Sequence, residues 1–526
     1  MLKLIRLYRK KVNFPKVKPK KMKKILNIFY TSDIHGRILS QHDILDKSIP
    51  VGLSRLSTFF AQQKVPFLYL DNGDILQGAA VMDQSRDDLV NPAALALNKL
   101  GCEFYTLGNH DFNYGLPYLF EYIKQMNGVL LLANVFQNNQ PLGMPFTVVE
   151  REGIRIGLIG VTTAYIPHWE LPEHIQGLKF VSAEKAVREL LPSLREKVDV
   201  VAVLYHGGIE QDLTTSEPIG RQTIENEGVA ISNIDGVDIV LSGHQHMLVS
   251  SSKILQPGVE GTHIGMVTIT KTEEEITISP SLIQNDSVVD ETFEAMFSTL
   301  QQKTNQWLDQ YVGYTDQDFR ANDPLSLRAK PHPLVSWIHQ LQFAQTNADI
   351  SVVSLPNDVR GFQNNISNRD LLNAFVYPNT LFEVAMTGAQ IKKAMEQSAA
   401  YFSLEEGQVV VSSSFLQPKV EHYNYDMYAG IEYKIDLTKP VGERIRDVMF
   451  HQQPLLDQTI YRVVLNNYRA NGGGDYEMFQ QATVIQEHDV TLLQLSERAL
   501  KASPSLHIDI TPTFVLVTEE AGPPSQ

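Results

Sequence analysis

Cysteine is almost missing from this 526-residue chain, Cys102 being the only one. No intramolecular disulfide and no thiolate cage for a structural metal can form, which fits a reducing, cytoplasmic setting. Cys102 precedes an apolar run and reads as packing. Long hydrophobic runs are missing too. Nothing approaches the roughly 18 uninterrupted apolar residues of a membrane span, so the chain reads as soluble, with an ordinary globular balance of 43% hydrophobic and 20% charged residues. Internal repeats are absent. Positive charge is scarce except at one end: residues 1–24 hold eleven Lys and Arg and no acid, so a net charge of −15 leaves −26 on the rest. An acidic body repels polyanions, which excludes a long nucleic acid along a basic groove but allows a small anion at a local cationic site. The run after the arm, Ile25 to Tyr30, is too short for a cleavable leader. The arm reads as a solvated, disordered tail, with contact to an anionic membrane surface as the alternative.

At this length two domains are expected. From 25 to 288, short β-branched runs (Ile25 to Tyr30, Phe67 to Leu70, Phe104 to Leu107, Arg155 to Val161, Val198 to Tyr205, Val237 to Leu241) alternate with helical or polar stretches. This predicts a layered α/β domain with a mixed sheet and helices outside. Residues 289–324 form a predicted helical linker, in which Phe293, Met296, Phe297, Leu300 and Trp307 recur at helical spacing. An α+β domain is expected over 325–517, with helices near Leu334 to Thr346 and Gly388 to Tyr401, strands near Ile431 to Leu437 and Thr459 to Leu465, and a capping box at Ser367 and Asp370. Residues 518–526 read as a tail.

Most of the first domain's runs end in a loop with Asp, Asn or His. In order these are Asp33-Ile-His35, Gly73-Asp74, Gly108-Asn109-His110-Asp111, His206-Gly-Gly and Gly243-His244-Gln-His246. Carboxylate, amide and imidazole donors suit Zn, Mn or Fe, and seven ligands are too many for one ion. Two ions about 3.5–4 Å apart, sharing a carboxylate, would use them all, an arrangement suited to phosphoester hydrolysis. His42, His168, His174, His263, His332 and His488 stand outside these motifs and read as ordinary surface or core residues.

The ordered set resembles the calcineurin-like metallophosphoesterases, and the second half resembles the C-terminal domain of the 5′-nucleotidase family. The resemblance implies that Asp33, His35, Asp74 and His246 hold one metal and Asp74, Asn109, His206 and His244 the other, Asp74 bridging. It implies that His110, oriented by Asp111, stabilises the phosphoryl transition state or protonates the leaving oxygen, with water as nucleophile. A nucleotide would be the substrate, its base stacked between Tyr425 and Tyr468 (Tyr476 as a fallback), with Asp475 at the adjoining Gly-Gly-Asp turn and Arg360 meeting an anionic group. The family also implies that the second domain rotates about the 290–312 connector. The stretch Leu355 to Arg360 departs from the family's glycine-rich pattern. Tyr377-Pro-Asn-Thr-Leu381, Tyr423 to Asp426 and Tyr468-Arg-Ala-Asn-Gly-Gly-Gly474 are more similar to the branch acting as 2′,3′-cyclic-nucleotide 2′-phosphodiesterase and 3′-nucleotidase. The alternatives are a 5′-nucleotidase, a related sugar-nucleotide hydrolase, or a nucleotide-binding protein whose catalysis has lapsed. The sequence leaves the oligomeric state open.

Overall fold

The computed structural model describes residues 23–41, 50–168, 170, 172–219, 223–357, 359–377, 379–416, 420–470 and 472–519. The basic arm up to Met22, His42 and the tail from Glu520 onwards lie outside them; Lys24 opens the first strand.

The first half contains two six-stranded mixed sheets, the layered α/β arrangement expected from the sequence. In the first, Lys24–Thr31, Phe67–Asp71, Phe104–Tyr105 and Val129–Leu130 run parallel, and His263–Lys271 and Ile276–Gln284 close one side antiparallel. In the second, Ile154–Thr162, Val200–His206, Ile239–Ser242 and Ile254–Pro257 are parallel between antiparallel edges. Alternation along the strands explains the layering, because successive side chains point to opposite faces. Leu26, Ile28 and Tyr30 join Leu158, Ala202 and Leu241 in one apolar layer, while Phe29 and Tyr69 join a second with Leu56, Leu97 and Leu119, which come from helices. The Tyr30 hydroxyl spans the layers and donates to the Leu255 carbonyl at 2.5 Å. Parallel strands in both sheets therefore release their C-terminal loops towards one place.

Two helices, Glu291–Ala295 and Ser298–Leu308, follow the last strand of the first half; Phe293 and Phe297 are buried in its core. The helix Ser298–Leu308 also touches what comes next, through the Asn368 side-chain amide on the Trp307 carbonyl at 2.9 Å. The second half is built on a five-stranded sheet of Asp426–Ala429, Ile350–Ser354, Ile460–Asn466, Thr380–Thr387 and Thr483–Thr491, covered by helices that include Pro333–Gln345 and Gly388–Ala399. The capping box at Ser367 and Asp370 is formed.

One buried histidine gives this half a pH dependence. His339, on the helix Pro333–Gln345, is 6% exposed and bonds the Ser351 hydroxyl through Nδ1 at 2.7 Å. Burial pushes its pKa down to about 3. The unfolded chain therefore binds more protons between that value and about 6.5, and stability falls as pH drops through this window. From pH 7 to pH 5 the expected loss is about 2 kcal/mol. Urea unfolding of wild type and His339→Asn at both pH values checks this; an equal loss in the variant would assign the effect elsewhere.

Candidate metal centre

The loops from the two sheets meet around Asp74. Donor atoms of Asp33, His35 and His246 form one group and those of Asp74, His206 and His244 a second, each with all atoms within 4.8 Å of one another. Asp74 lies between them: its Oδ2 is 3.2 Å from His206 Nε2 and 4.0 Å from His35 Nε2. Asn109 Oδ1 reaches the second group, 3.3 Å from His206 Nε2 and 2.9 Å from His244 Nδ1. All seven donors named from the sequence come together.

Their outer contacts decide what the inner atoms can accept. His35 donates from Nδ1 to the Gln77 carbonyl at 3.0 Å, His206 from Nδ1 to the Asn72 carbonyl at 2.7 Å, and His244 from Nε2 to Glu225 Oε1 at 3.2 Å. A neutral imidazole that donates outward has a bare nitrogen inward. Those bare nitrogens face other acceptors: His206 Nε2 stands 3.2 Å from Asp74 Oδ2 and His244 Nδ1 2.9 Å from Asn109 Oδ1, and Asp74 Oδ2 is buried with no hydrogen bond of good geometry. Lone pairs directed at lone pairs require positive charge between them. A proton can serve. Burial alone would lower the His206 pKa, but the Asp74 carboxylate beside it pushes it up to about 10. Asp74 is likewise held well below the usual carboxylate range, its burial outweighed by the neighbouring imidazoles of His206, His110 and His35. The donor set and its misdirected lone pairs fit divalent cations.

The backbone aims these side chains by unusual means. Asp33, His35, Asp74, His244 and His246 all have φ between 49° and 74°. Left-handed backbone is found in only a few per cent of non-glycine residues. Gly73, at φ 85°, and Gly108 let two loops touch, since a Cβ on Gly73 would lie 2.2 Å from the Gly108 nitrogen.

His110 does not pair with Asp111 as the sequence suggested. Both Asp111 oxygens accept backbone N–H groups, from Asp74 (2.9 Å), Ile75 (3.0 Å), Leu76 (3.0 Å) and Gly108 (2.8 Å). Asp111 is thus a brace for the Asp74 loop, its pKa raised to about 6 by burial and by the Asp74 charge. The His110 ring is held instead by Asn113, Nδ1 to Oδ1 at 2.7 Å, and lies 5.2 Å from the His35 ring.

A second correction concerns Tyr425. It is fully buried, with the rings of Tyr401 and Phe402 each 5.0 Å away, so it has no face to offer a base. Tyr476 is buried as well, its hydroxyl donating to the Asn424 carbonyl. Tyr468 is 42% exposed, and the ring that faces it, 6.3 Å away at 75°, is Tyr423. Arg469 locks the two loops together, donating to Tyr423 O, Asn424 Oδ1, Asp426 Oδ1 and Gly473 O while 1% exposed. Asp475 is exposed in left-handed backbone at φ 63°, and Arg360 is exposed with its amide on the Asn373 carbonyl. A cleft of 1340 Å³ runs between the halves, lined by His110 and His244 on one side and Thr380, Glu487 and Glu497 on the other; it reaches Asn467, but neither Tyr423 nor Tyr468 lines it.

Residues 26–248 match the calcineurin-like phosphoesterase family and 311–481 the C-terminal domain of 5′-nucleotidases. A putative 5′-nucleotidase from Staphylococcus aureus, solved with α-ketoglutarate, is 32% identical and superposes with a TM-score of 0.79 over 94% of this chain and all of its own. The chain belongs to the 5′-nucleotidase family of calcineurin-like phosphoesterases. It is a metal-dependent phosphoester hydrolase. Within the family, a 2′,3′-cyclic-nucleotide 2′-phosphodiesterase/3′-nucleotidase from Salmonella typhimurium is 24% identical over 85% of this chain and 81% of its own length. A trifunctional nucleotide phosphoesterase from Bacillus subtilis is 25% identical over 86% of this chain; the chain spans 36% of that relative. No helix among the described residues is long and apolar enough to cross a membrane.

Sequence reasoning overlooked Asn113, and within the segments it singled out it gave Tyr423 and Arg469 no individual role. Asn113 had a signal: it lies three residues past His110, across a 3₁₀ turn spanning His110–Phe112 that brings i and i+3 onto one side. For the tyrosines no local pattern separates the buried ring of Tyr425 from the half-buried one of Tyr423 two residues away.

Proposed function

We propose that this enzyme hydrolyses ribonucleoside 2′,3′-cyclic phosphates and 3′-phosphates at two divalent ions, Mn, Zn or Fe. The observation that carries the two-ion reading is Asp74 Oδ2, between the nitrogens of His35 and His206 at 4.0 and 3.2 Å. In this reading Asp33, His35, Asp74 and His246 hold one ion, and Asp74, Asn109, His206 and His244 the other. When bound, such ions supply Lewis acidity towards phosphoryl oxygens and towards the attacking water. His110 then meets the ester from the cleft side and protonates the leaving ribose oxygen. Tyr423 and Tyr468 hold the base, fixed in place by Arg469.

The domain division in this reading is 25–288, a linker over 289–324, and 325–517; the linker is helical only as far as Leu308, because Tyr311–Asp318 is a strand paired with Gln363–Ser367 of the second half. Because the tyrosine pair does not line the cleft that His110 lines, the second domain has to turn to deliver its nucleotide, with 290–312 as the hinge region. A cytoplasmic setting is part of the proposal, supported by the single thiol; fractionation of the source cells tests it. The cyclic-phosphate preference is supported by the name of the Salmonella relative and by the Tyr423 to Asp426 segment. The second reading, a 5′-nucleotidase, is favoured by the higher identity to the S. aureus protein.

A rate comparison of 5′-AMP, 3′-AMP, 2′,3′-cyclic AMP and a dinucleotide-type diester with Mn-loaded protein separates the two. The cyclic and 3′ substrates are expected to lead; a lead by 5′-AMP selects the second reading. In the same assay Tyr468→Ala should raise KM for the preferred nucleotide about tenfold, the low end of one lost base stack, while leaving an aryl phosphate unaffected. Equal effects on both substrates would remove Tyr468 from the base site.

A further inference from the structure

His110 is tied into a chain of hydrogen bonds that leads away from the metal centre. Its Nδ1 meets Asn113 Oδ1 at 2.7 Å, the Asn113 Nδ2 donates to Glu170 Oε2 at 2.6 Å, and His174 Nδ1 donates to Glu170 Oε1 at 2.8 Å. The Glu170 side chain is 5% exposed and His174 28%. All four residues line the cleft between the halves.

The chain has a direction, set by what each group can do. A carboxylate has only acceptors, so the Asn113 amide must turn its nitrogen towards Glu170. Its oxygen then faces His110, and an amide oxygen can only accept, so the proton sits on His110 Nδ1. We propose that Glu170, acting through Asn113, is a positioning residue that keeps His110 Nδ1 protonated and turns Nε2 to the cleft, so that the doubly protonated ring gives its Nε2 proton to the leaving oxygen and is left as the Nδ1–H tautomer. Asp111, the nearest carboxylate in sequence, cannot take this part because four backbone N–H groups occupy it. The relay also explains why a neutral asparagine stands beside the ring: the amide transmits the direction of the hydrogen bond without a second negative charge close to Asp74. The functional half of the proposal rests on reading His110 as the group that meets the ester.

Glu170→Gln tests the relay, because a glutamine at 170 can donate as well as accept and frees the Asn113 amide to flip. The ¹⁵N imidazole spectrum of the full-length, metal-free protein, with the His110 signals identified by their loss in His110→Gln, is expected to show Nδ1–H in wild type and a tautomer mixture in Glu170→Gln. Against the preferred nucleotide, whose ribose oxygen needs a proton to leave, Mn-loaded Glu170→Gln should lose roughly 10- to 100-fold in kcat with KM within about twofold, the range for removing a partner that orients an imidazole. Adding Asn113→Asp should restore kcat to within severalfold, since an aspartate at 113 accepts from Nδ1–H without needing Glu170; a purely structural role for Glu170 predicts no such rescue. An unchanged tautomer, or no rescue by the double variant, overturns the relay. A shifted tautomer with unchanged kcat overturns the role given to His110 instead.

Discussion

Asp74→Asn should abolish phosphoester hydrolysis, by on the order of a thousandfold or more, and leave the fold standing. The substitution preserves volume and one contact: Asp74 Oδ1 accepts the His110 backbone N–H at 2.7 Å, and an asparagine oxygen can do the same. What changes is the other atom. Oδ2, 3.2 Å from His206 Nε2 and 4.0 Å from His35 Nε2, becomes an NH₂ group that offers hydrogens where both donor groups need a shared anion. Losing one preorganised electrostatic contact costs about 10²–10³ in kcat in well-studied sites, and a carboxylate shared by two ions carries more than one. Metal content measured alongside activity, with circular dichroism as the fold control, gives the result. Near wild-type turnover in the Asp74→Asn variant would remove Asp74 from the centre of the site.

Gly108→Ala should do nearly as much harm with one methyl group. Gly108 has no left-handed backbone to explain its identity; the constraint is space. A Cβ there would lie 2.1 Å from Asp74 Oδ1, 2.6 Å from Asp74 Cγ and 2.6 Å from His206 Cε1. Both neighbours are buried at 1% and 0% exposure and held by further hydrogen bonds, so neither can step aside without moving the donor set. Displacement of a catalytic group by about 1 Å can cost about a hundredfold in rate, and overpacking adds about 1–3 kcal/mol of destabilisation. The expected variant folds with a lowered Tm, binds metal weakly and turns over at least about a hundredfold more slowly. Wild-type metal content and rate together would show that the loops have slack the distances deny.

The donor set was legible in the sequence because its chemistry is written in residue type and order. Asp, Asn and His at the ends of β-branched runs identify themselves when five such ends recur, and all seven named residues meet in space. The strands that carry them were legible through burial, with Lys24–Thr31 and Ile154–Thr162 close to their expected bounds. Which strand joins which sheet was not, because both faces of a buried strand are apolar whichever sheet it joins. Partner choice was the other blind spot. His110 has Asp111 next to it in sequence, but consecutive residues on a 3₁₀ turn point apart, and Asn113 is the one that shares its side. His174, which reads from the sequence as an ordinary surface or core residue, ends a chain starting at His110. Tyr425 and Tyr423 differ only in which side of a short segment each occupies, and only the packing of Tyr401 and Phe402 assigns the buried one.

Five of the seven donors stand in left-handed backbone, where glycine would rest at no cost and an ordinary L-residue gives up about 1–2 kcal/mol. Thermodynamics alone would therefore write glycine at 33, 35, 74, 244 and 246. Stability and turnover pull this chain towards different sequences at those positions. A descendant released from catalysis could grow more stable by discarding its site one donor at a time.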